Sequence, residues 1–356
     1  ANTMQVLVEA LGLALPGSST IPAVMADKTR AARASGRQVV ELAQKDLKPG
    51  DILEKNAFLN AITVDLAIGG STNAILHLLA LAREVGVPLT MEDFDAVSRN
   101  VSCICAVRPN GPFNMMDLHE AGGVPAIQKV LEGVLETSAI GVSGIRLADI
   151  LAQVPSQPSE VIRPLEDPVH QDSGLAILKG NLAPDGAIIR PSGVPAEMKA
   201  FKGSARVFED EDLAIAAMKS GDIKAGDVIV LRYLGPKGGP GMQYAQASCQ
   251  ALVGLWLHKC DGLITDGRFS GFNHGPIVGH VSPEAFEGGP LALVFEGDQI
   301  SVDVDQRSLE IDLSEEELAD RKTKWKPPAS TVKNGWLALY MANCRPASEG
   351  AAMQPW

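Results

Sequence analysis

The chain has 356 residues, of which 46% are hydrophobic and 21% are charged, a composition typical of globular proteins. Lysine and arginine total 31 against 43 acidic residues, so the formal net charge is −12. There is no long basic run and no apolar stretch of the ~18 residues that a membrane span needs. We therefore expect neither nucleic acid nor a membrane as a partner.

The first residues indicate whether the sequence is part of a longer reading frame, and the number of cysteines indicates the redox state of the compartment. The chain begins Ala-Asn-Thr-Met-Gln, without an initiator methionine or a signal-peptide pattern, so residue 1 is expected to lie inside a longer, processed or trimmed frame. Five cysteines form no evident disulfide framework, which favours a reducing compartment, the cytoplasm or an organellar matrix.

The first 150 residues are predicted to be mainly helical. Helical spacing of apolar residues predicts helices over residues 4–15, 23–43 and 56–68. A nearly all-apolar, hence buried, helix is predicted over residues 74–82. The next helix is expected to start after Thr90, with Asp93 completing an acidic capping box.

From about residue 164 short β-rich runs alternate with turns. Seven strands and two helices are expected, an α+β or swivelling β/α domain in which strands dominate. The fold class is thus α/β (α+β), with a mainly helical domain over residues 1–155, a linker near residues 154–159 and a second domain over residues 164–350. The predicted strands cover residues 175–178, 187–189, 205–208, 228–233, 262–265, 291–295 and 300–304, and the helices residues 212–219 and 315–324.

Two turns after predicted strands are candidate sites. The glycine-rich loop at residues 235–241 follows a strand, and its backbone N–H groups and Lys237 could contact a ligand. It matches neither a P-loop nor a dinucleotide fingerprint, and a structural turn is the alternative. After the predicted strand at residues 262–265, Arg268 could pair with a carboxylate or internally with Asp266. Ser270 could accept a proton if a cation or metal lowered its pKa. The alternative for Ser270 is a turn serine.

Other features of the sequence could bind a ligand or a metal, but they also have purely structural explanations. Residues 69–73 could bind an anion at a helix start, or simply cap the helix. Among six histidines, His77 is predicted to be a core residue, whereas His119 lies among acidic groups and is the better site candidate. Cys103 and Cys105 form a Cys-x-Cys pair, which is more readily explained by structural cysteines than by a metal site.

Several motifs occur in order along almost the whole chain. Together they resemble the dihydroxy-acid dehydratase and phosphogluconate dehydratase family, which includes sugar-acid dehydratases. The resemblance implies a helical N-terminal dehydratase domain, followed by a swivelling, barrel-like β/β/α domain. The matching motifs are residues 1–4, 15–19, 69–74, 117–123, 179–186, 235–242, 265–271 and 279–285.

The resemblance also implies a chemistry. The family removes water from a 2,3-dihydroxy acid to give a 2-keto acid, using an iron–sulfur cluster as Lewis acid and Mg²⁺ at the carboxylate end. Carried onto this chain, the motifs make Ser270 the catalytic base for the C2 proton. Substrate contacts are expected from Arg268, Gly271, Lys237, Gly238, Gly239 and His119.

The sequence also departs from the family pattern. The family's cluster ligands precede the motif at residues 1–4, and the metal-binding glutamate after the Gly-Pro-Gly-Met motif is replaced by Tyr244, a poor Mg²⁺ ligand. We therefore assign no metal-binding residue and expect that the chain alone is not a competent dehydratase. The alternative is a non-catalytic relative that binds a hydroxy acid or a partner chain. A homo-oligomer, dimer or tetramer, is expected, since a missing region would leave apolar surface uncovered.

Overall fold

The protein is described from a computed structural model, which covers residues 2–269, 274–330 and 332–354. By contacts the chain divides into two compact units. Unit 1 comprises residues 1–74 and 81–174, and unit 2 comprises residues 75–80 and 175–356. The sequence-based domain bounds, 1–155 and 164–350, remain predictions. Among the described residues, no helix is both long and apolar enough to cross a membrane.

Unit 1 consists of helices in its described part, and its core contains large apolar side chains such as Phe58, Phe94 and Ile127. Asn60 ties two segments together, since its Nδ2 donates to Glu136 O at 3.0 Å and its Oδ1 accepts from Glu136 N at 2.8 Å. The helices are α1 (Thr3–Ala10), α2 (Ala26–Gln44), α3 (Pro49–Ile52), α4 (Lys55–Ala67), α5 (Thr72–Glu84), α6 (Met91–Ser98), α7 (Met115–Glu120), α8 (Gly123–Val130) and α9 (Leu147–Leu151). Within α5, residues 75–80 group with unit 2.

The predictions for this region are largely confirmed, with two corrections. The Thr90–Asp93 capping box opens α6 as expected. Helix α1 ends at Ala10 rather than near residue 15, because Gly12 adopts a left-handed φ of 81° that ends a right-handed helix. His77 is exposed on α5 rather than buried in the core.

Unit 2 contains a closed eight-stranded barrel with the strand order β1-β2-β6-β5-β4-β3-β7-β8. The pairs β3/β4, β4/β5, β5/β6 and β1/β8 are parallel, and the other neighbours are antiparallel. The mixed α/β class is therefore confirmed. The strands are β1 (Ala176–Gly180), β2 (Ala183–Ile189), β3 (Ala200–Phe208), β4 (Asp227–Leu231), β5 (Gly262–Thr265), β6 (Ile277–Ser282), β7 (Gln299–Asp303) and β8 (Ser308–Ile311).

Four further α-helices accompany the barrel in the described residues of unit 2, and alternation along β4 places its side chains in two different apolar clusters. Val228 and Val230 of β4 join one cluster with strand residues from around the barrel, whereas Ile229 joins a second cluster with Ala214 and Leu252 from two of the helices. Because side chains alternate between the faces of a strand, β4 is buried on both sides, and its residues 228–231 are all apolar. The helices are α10 (Glu211–Ser220), α11 (Gln246–Gly254), α12 (Glu315–Lys324) and α13 (Gly335–Asn343).

Strand prediction in unit 2 was mostly right, with one error and two omissions. The run predicted as a strand at residues 291–295 begins instead with a 3₁₀ helix, Pro290–Leu293. Pro290 lies at its start, where the missing N–H costs nothing. The sequence prediction missed β6 and β8.

Candidate functional site

The candidate site in unit 2 lies where three parallel strands end. The glycine-rich loop (residues 235–241) follows β4, Asp266 and Arg268 follow β5, and Glu284 follows β6. Since β4, β5 and β6 are parallel neighbours, their carboxyl ends lie at one edge, the usual position of ligand sites in parallel sheets.

Asp266 connects two of these ends. Its side chain is fully buried and accepts hydrogen bonds from the backbone N–H groups of Leu234 at 2.9 Å, Tyr233 at 3.2 Å and Ala285 at 2.9 Å. Burial raises the pKa of Asp266 to about 6, although these amide donors oppose the shift. Asp266 thus joins the segment after β4 to the segment after β6.

Glu284 holds the glycine-rich loop itself. Its carboxylate, 1% exposed, accepts from Lys237 N at 2.9 and 3.1 Å and from Gly238 N at 2.9 Å. Burial raises the pKa of Glu284 to about 7, the amides opposing the shift and the nearby Asp266 and Glu287 adding to it. A Cβ added at Gly235 would lie 2.5 Å from Glu284 Oε2, so the carboxylate requires glycine there.

The predicted loop donors are engaged within the protein. The N–H groups of Lys237 and Gly238 donate to Glu284, and Gly239 N donates to Gly235 O at 2.9 Å. The Lys237 ammonium pairs with Glu287. Substrate contact by Lys237, Gly238 and Gly239 remains a prediction, and it requires a group other than these loop N–H donors, or a rearranged loop.

Arg268 is clamped by the segment that follows the loop. Its Nε donates to Met242 O at 2.9 Å, its backbone N donates to Gln243 O at 2.9 Å, and its backbone O accepts from Ala245 N at 2.8 Å. The guanidinium lies over the Tyr244 ring, 5.8 Å from the centroid, a cation–π contact. Arg268 is half-buried, so its charge is fixed in position near the surface.

Two histidines of unit 2 lie in the electric field of Arg268. His280 is 3% exposed, and its Nε2 has no hydrogen-bond partner among the described residues. Burial, helped by Arg268 and His77, lowers the pKa of His280 to about 3, so the ring is neutral at pH 7. Although the His77 side chain is exposed, partial desolvation of its ring, followed by the charge of Arg268, lowers its pKa.

His119, the other predicted substrate contact, belongs to unit 1. It lies in α7, which Asn114 caps by accepting from Met116 N at 2.8 Å. Its Nδ1 is 3.1 Å from Thr20 Oγ1. A Cβ at Gly123 would lie 2.4 Å from the same hydroxyl, so a glycine at position 123 leaves room for Thr20. The role of His119 in substrate binding remains a prediction.

The predicted anion position at residues 69–73 lies next to a buried carboxyl group. Asp65 is 1% exposed; its Oδ1 accepts from Ser71 N at 3.2 Å, and its Oδ2 has no hydrogen-bond partner in the described part of the chain. Burial raises the pKa of Asp65 to about 8. The carboxyl is therefore mainly protonated at pH 7. Ser71 stands at the N-cap position of α5 without a side-chain cap hydrogen bond, so anion binding and helix capping both remain predictions for this segment.

The predicted catalytic residue and one predicted contact cannot be placed. Ser270 and Gly271 lie outside the described residues, as do Phe272 and Asn273. The neighbouring Phe269 is 1% exposed and packs closely on Gly279, whose added Cβ would lie 2.5 Å from the Phe269 ring. The segment that leads to Ser270 is thus anchored up to Phe269.

The donor groups in the described residues do not fit the metals that the resemblance implies. No group of three or more His, Cys, Asp or Glu side chains there is arranged to hold a metal ion. Cys103 and Cys105 are fully buried, and burial together with the neighbouring thiol raises the pKa of Cys105 well above its usual value; iron binding needs thiolates. The Tyr244 ring faces the guanidinium of Arg268. This positive charge would repel a metal cation bound at position 244.

Sequence reasoning named Arg268 and the loop but missed Glu284 and His280 as parts of the site. It considered Asp266 only as a partner of Arg268 and missed its hydrogen bonds from backbone amides. Asp266 and Glu284 stand in the motifs at residues 265–271 and 279–285, so their presence was visible. What the sequence did not reveal was that both carboxylates point inward to backbone amides, which depends on the barrel closing.

Comparison with known proteins gives one consistent family. The family model described as Dihydroxy-acid/6-phosphogluconate dehydratase N-terminal matches residues 1–150. The model of the corresponding C-terminal domain matches residues 160–351. A dihydroxy-acid dehydratase of Geobacter metallireducens is 48% identical over 99% of this chain and 63% of its own length. The proteins of that name from Synechocystis sp. and Pyrococcus abyssi are 46% and 47% identical over 99% of this chain. The chain spans 63–64% of the length of these relatives.

Proposed function

Because the chain belongs to the dihydroxy-acid/6-phosphogluconate dehydratase family, we propose that it acts in a hydro-lyase that converts a 2,3-dihydroxy acid to a 2-keto acid. The proposal is supported by relatives that bear the name dihydroxy-acid dehydratase. The single structural observation that carries it is the fixed guanidinium of Arg268 at the carboxyl ends of the parallel strands. The swivelling character of the barrel domain is part of the same proposal.

In the proposed reaction, Arg268 holds the substrate carboxylate. An arginine forms paired, charge-assisted hydrogen bonds with a carboxylate, and three contacts to the segment after the loop hold this one in place. Ser270, two residues further on, removes the C2 proton. A cation beside its hydroxyl favours the alkoxide, which is a role that the Arg268 charge supports.

Ser270 takes the C2 proton, and the C3 hydroxyl leaves with one proton as water, so that the C2–C3 double bond of an enol forms. The enol then gains a proton at C3 and loses the proton of its C2 hydroxyl to become the 2-keto acid, so the net change is the loss of one water. The resemblance implies an iron–sulfur cluster that would act as Lewis acid on the leaving hydroxyl, and Mg²⁺ at the carboxylate end of the substrate. Since the described donors do not fit these groups, we derive no step through them.

The test uses the full chain and 2,3-dihydroxy-3-methylbutanoate. We expect binding by calorimetry, with Arg268→Lys weakening it at least about tenfold because a bidentate pair is lost. If protein purified without oxygen forms keto acid, Ser270→Ala should lower the rate at least about 100-fold, the usual effect of losing a general base. Absence of both binding and turnover in the wild type would overturn the proposal.

A second candidate is a protein that binds the hydroxy acid without turning it over. Tyr244 favours it, because a phenol packed against a guanidinium stands where the family resemblance implies a metal-binding carboxylate. Tight binding by the wild type without any keto acid would establish this alternative. It would also bear out the expectation that the chain alone is not competent.

We also propose that the chain self-associates as a homodimer or homotetramer. Helix α13 has the sequence GWLALYMAN and no buried residue, and Trp336 and Leu337 are 77% and 48% exposed. A second copy that covers this apolar surface would remove it from water. Sedimentation should show an oligomer for the wild type and dissociation for Trp336→Ser; an unchanged state in the variant would argue against α13 as the contact.

A further inference from the structure

The glycine-rich loop already contains an anion of the protein itself. Consecutive backbone N–H groups in a glycine-rich turn form a concave site for an anion. Here the N–H groups of Lys237 and Gly238 both point at the carboxylate of Glu284. A carboxylate that accepts several amide hydrogen bonds fixes the turn that donates them.

The loop in turn determines where Arg268 lies. Its last residues run into Met242, Gln243 and Ala245, which hydrogen-bond to Arg268 Nε, N and O. The residues that flank the loop also pair with each other: Gln243 N donates to Leu234 O at 2.8 Å. Leu234 N in turn donates to Asp266. The loop therefore connects Glu284 to Arg268: hydrogen bonds join Glu284 to its middle, the chain runs on to residue 242, and further hydrogen bonds join residues 242–245 to Arg268.

We propose that Glu284 is a positioning residue: its carboxylate fixes the glycine-rich loop, and through the loop it sets the position of the Arg268 guanidinium that binds the substrate carboxylate. The last clause rests on the proposed function, whereas the fixing of the loop does not. Glu284 itself touches no substrate. Asp266 supports it from the next strand, because its carboxylate accepts from Ala285 N, the residue after Glu284.

Two variants disturb the Glu284 contact by different means. Glu284→Gln keeps the shape but puts an amide N–H₂ where a carboxylate oxygen accepted from the loop. Gly235→Ala leaves Glu284 intact but adds a Cβ 2.5 Å from its Oε2, which displaces the carboxylate. A matched control is Glu310→Gln, because Glu310 also accepts a backbone amide, Asn181 N at 2.8 Å, at another turn of the barrel.

The measurement is amide hydrogen exchange of the full chain at one pH, read at Lys237 and Gly238 and at Arg268 and Ala245. Both variants should exchange at least about tenfold faster than the wild type at all four amides, the effect of losing one buried hydrogen bond. The strand amides of the barrel should keep their protection, which shows that the fold is intact. Glu310→Gln should match the wild type at the four amides.

The outcomes separate the two proposals. Unchanged exchange at Lys237 and Gly238 in both variants would overturn the role of Glu284, whatever the binding result. Faster exchange there with unchanged exchange at Arg268 and Ala245 would overturn the transmission to Arg268. Affinity for 2,3-dihydroxy-3-methylbutanoate should fall in parallel with the exchange effect. If the wild type does not bind this acid, the proposed function fails and the exchange data alone decide the loop-fixing role.

Discussion

The guanidinium of Arg268 lies 5.8 Å from the centroid of the Tyr244 ring, and the backbones of the two residues pair as a parallel β-bridge. The ring is 43% exposed. It therefore covers one face of the guanidinium without neutralising its charge. A carboxylate at position 244 would instead form an ion pair with Arg268.

Tyr244→Glu should therefore weaken binding of a dihydroxy acid at least about tenfold, since the substrate carboxylate would compete with Glu for the guanidinium. The measurement is calorimetry with 2,3-dihydroxy-3-methylbutanoate, with Tyr244→Phe as a control that keeps the ring and should bind like the wild type. Tighter binding by Tyr244→Glu that depends on added Mg²⁺ would contradict this prediction and indicate a metal position at residue 244.

How far the sequence predicts this molecule depends on the range of the interactions involved. Local signals succeeded: the Thr90–Asp93 capping box opens α6, and the apolar run at residues 262–265 is β5. Strand β8, Ser308–Ile311, was missed because its polar residues alternate with buried Leu309 and Ile311 only over four positions. Such a short pattern becomes a strand through pairing with β7 and β1.

The site shows the same division between local and distant interactions. A glycine-rich loop after a strand was recognisable, and Arg268 was correctly expected at a strand's carboxyl end. That Glu284, 46 residues beyond Gly238, fills the loop with its own carboxylate follows from β4 and β6 lying on either side of β5. No local pattern contains that information. It supports the proposal that the loop positions Arg268, and substrate contact by the loop remains a prediction.

Asp65→Asn should stabilise unit 1 increasingly as the pH rises. Burial raises the pKa of Asp65 to about 8 from an ordinary value of 3.8, so the folded state holds its proton more tightly than the unfolded state. Stability that is present below about pH 4 is thus lost as the pH rises to about 8. The variant cannot ionise, so its advantage should grow through this window to at most about 6 kcal/mol.

The measurement for Asp65 is hydrogen exchange of the α4 amides as a function of pH, corrected for intrinsic exchange. Asp27→Asn, at an exposed position of α2, is the control and should follow the wild type throughout. A constant difference between Asp65→Asn and the wild type from pH 5 to pH 9 would show that the carboxyl is not buried as described.

Glu284→Gln should show a comparable pH dependence in unit 2. Burial raises the pKa of Glu284 to about 7 from 4.5, so the wild type loses stability as the pH rises between these values. The lost amide contacts lower the stability of the variant by a constant amount, but its stability relative to the wild type should improve by about 3 kcal/mol between pH 4.5 and 7. Taking the difference removes the opposite contribution of His280, whose pKa is lowered.

Tryptophan fluorescence during urea unfolding is a suitable probe for Glu284, since the three tryptophans among the described residues, at positions 256, 325 and 336, all belong to unit 2. Trp325 packs against the barrel cluster. Glu310→Gln is again the control. A difference between Glu284→Gln and the wild type that does not change with pH would refute the expected titration.

Asn181 should be a major stabilising residue of the barrel closure. Its Nδ2 donates to Ile311 O at 2.8 Å and its Oδ1 accepts from Ile311 N at 2.7 Å, so one side chain satisfies both backbone groups of a buried residue at the end of β8. Asn181→Ala leaves both groups without these partners, which should cost about 2–4 kcal/mol. Asn181→Asp keeps an oxygen that accepts from Ile311 N but places a second oxygen against Ile311 O. The free energy of unfolding of this variant should therefore be no higher than that of Asn181→Ala.

The free energy of unfolding of unit 2 in urea, followed by tryptophan fluorescence, measures this cost. Asn334→Ala is the control, because Asn334 precedes α13 without a side-chain cap hydrogen bond and its replacement should change stability by less than about 1 kcal/mol. If Asn181→Ala were as stable as this control, water would have to satisfy Ile311 in its place. The β1 and β8 edges of the barrel, which pair at Lys179 and Ser308, would then close without the side chain.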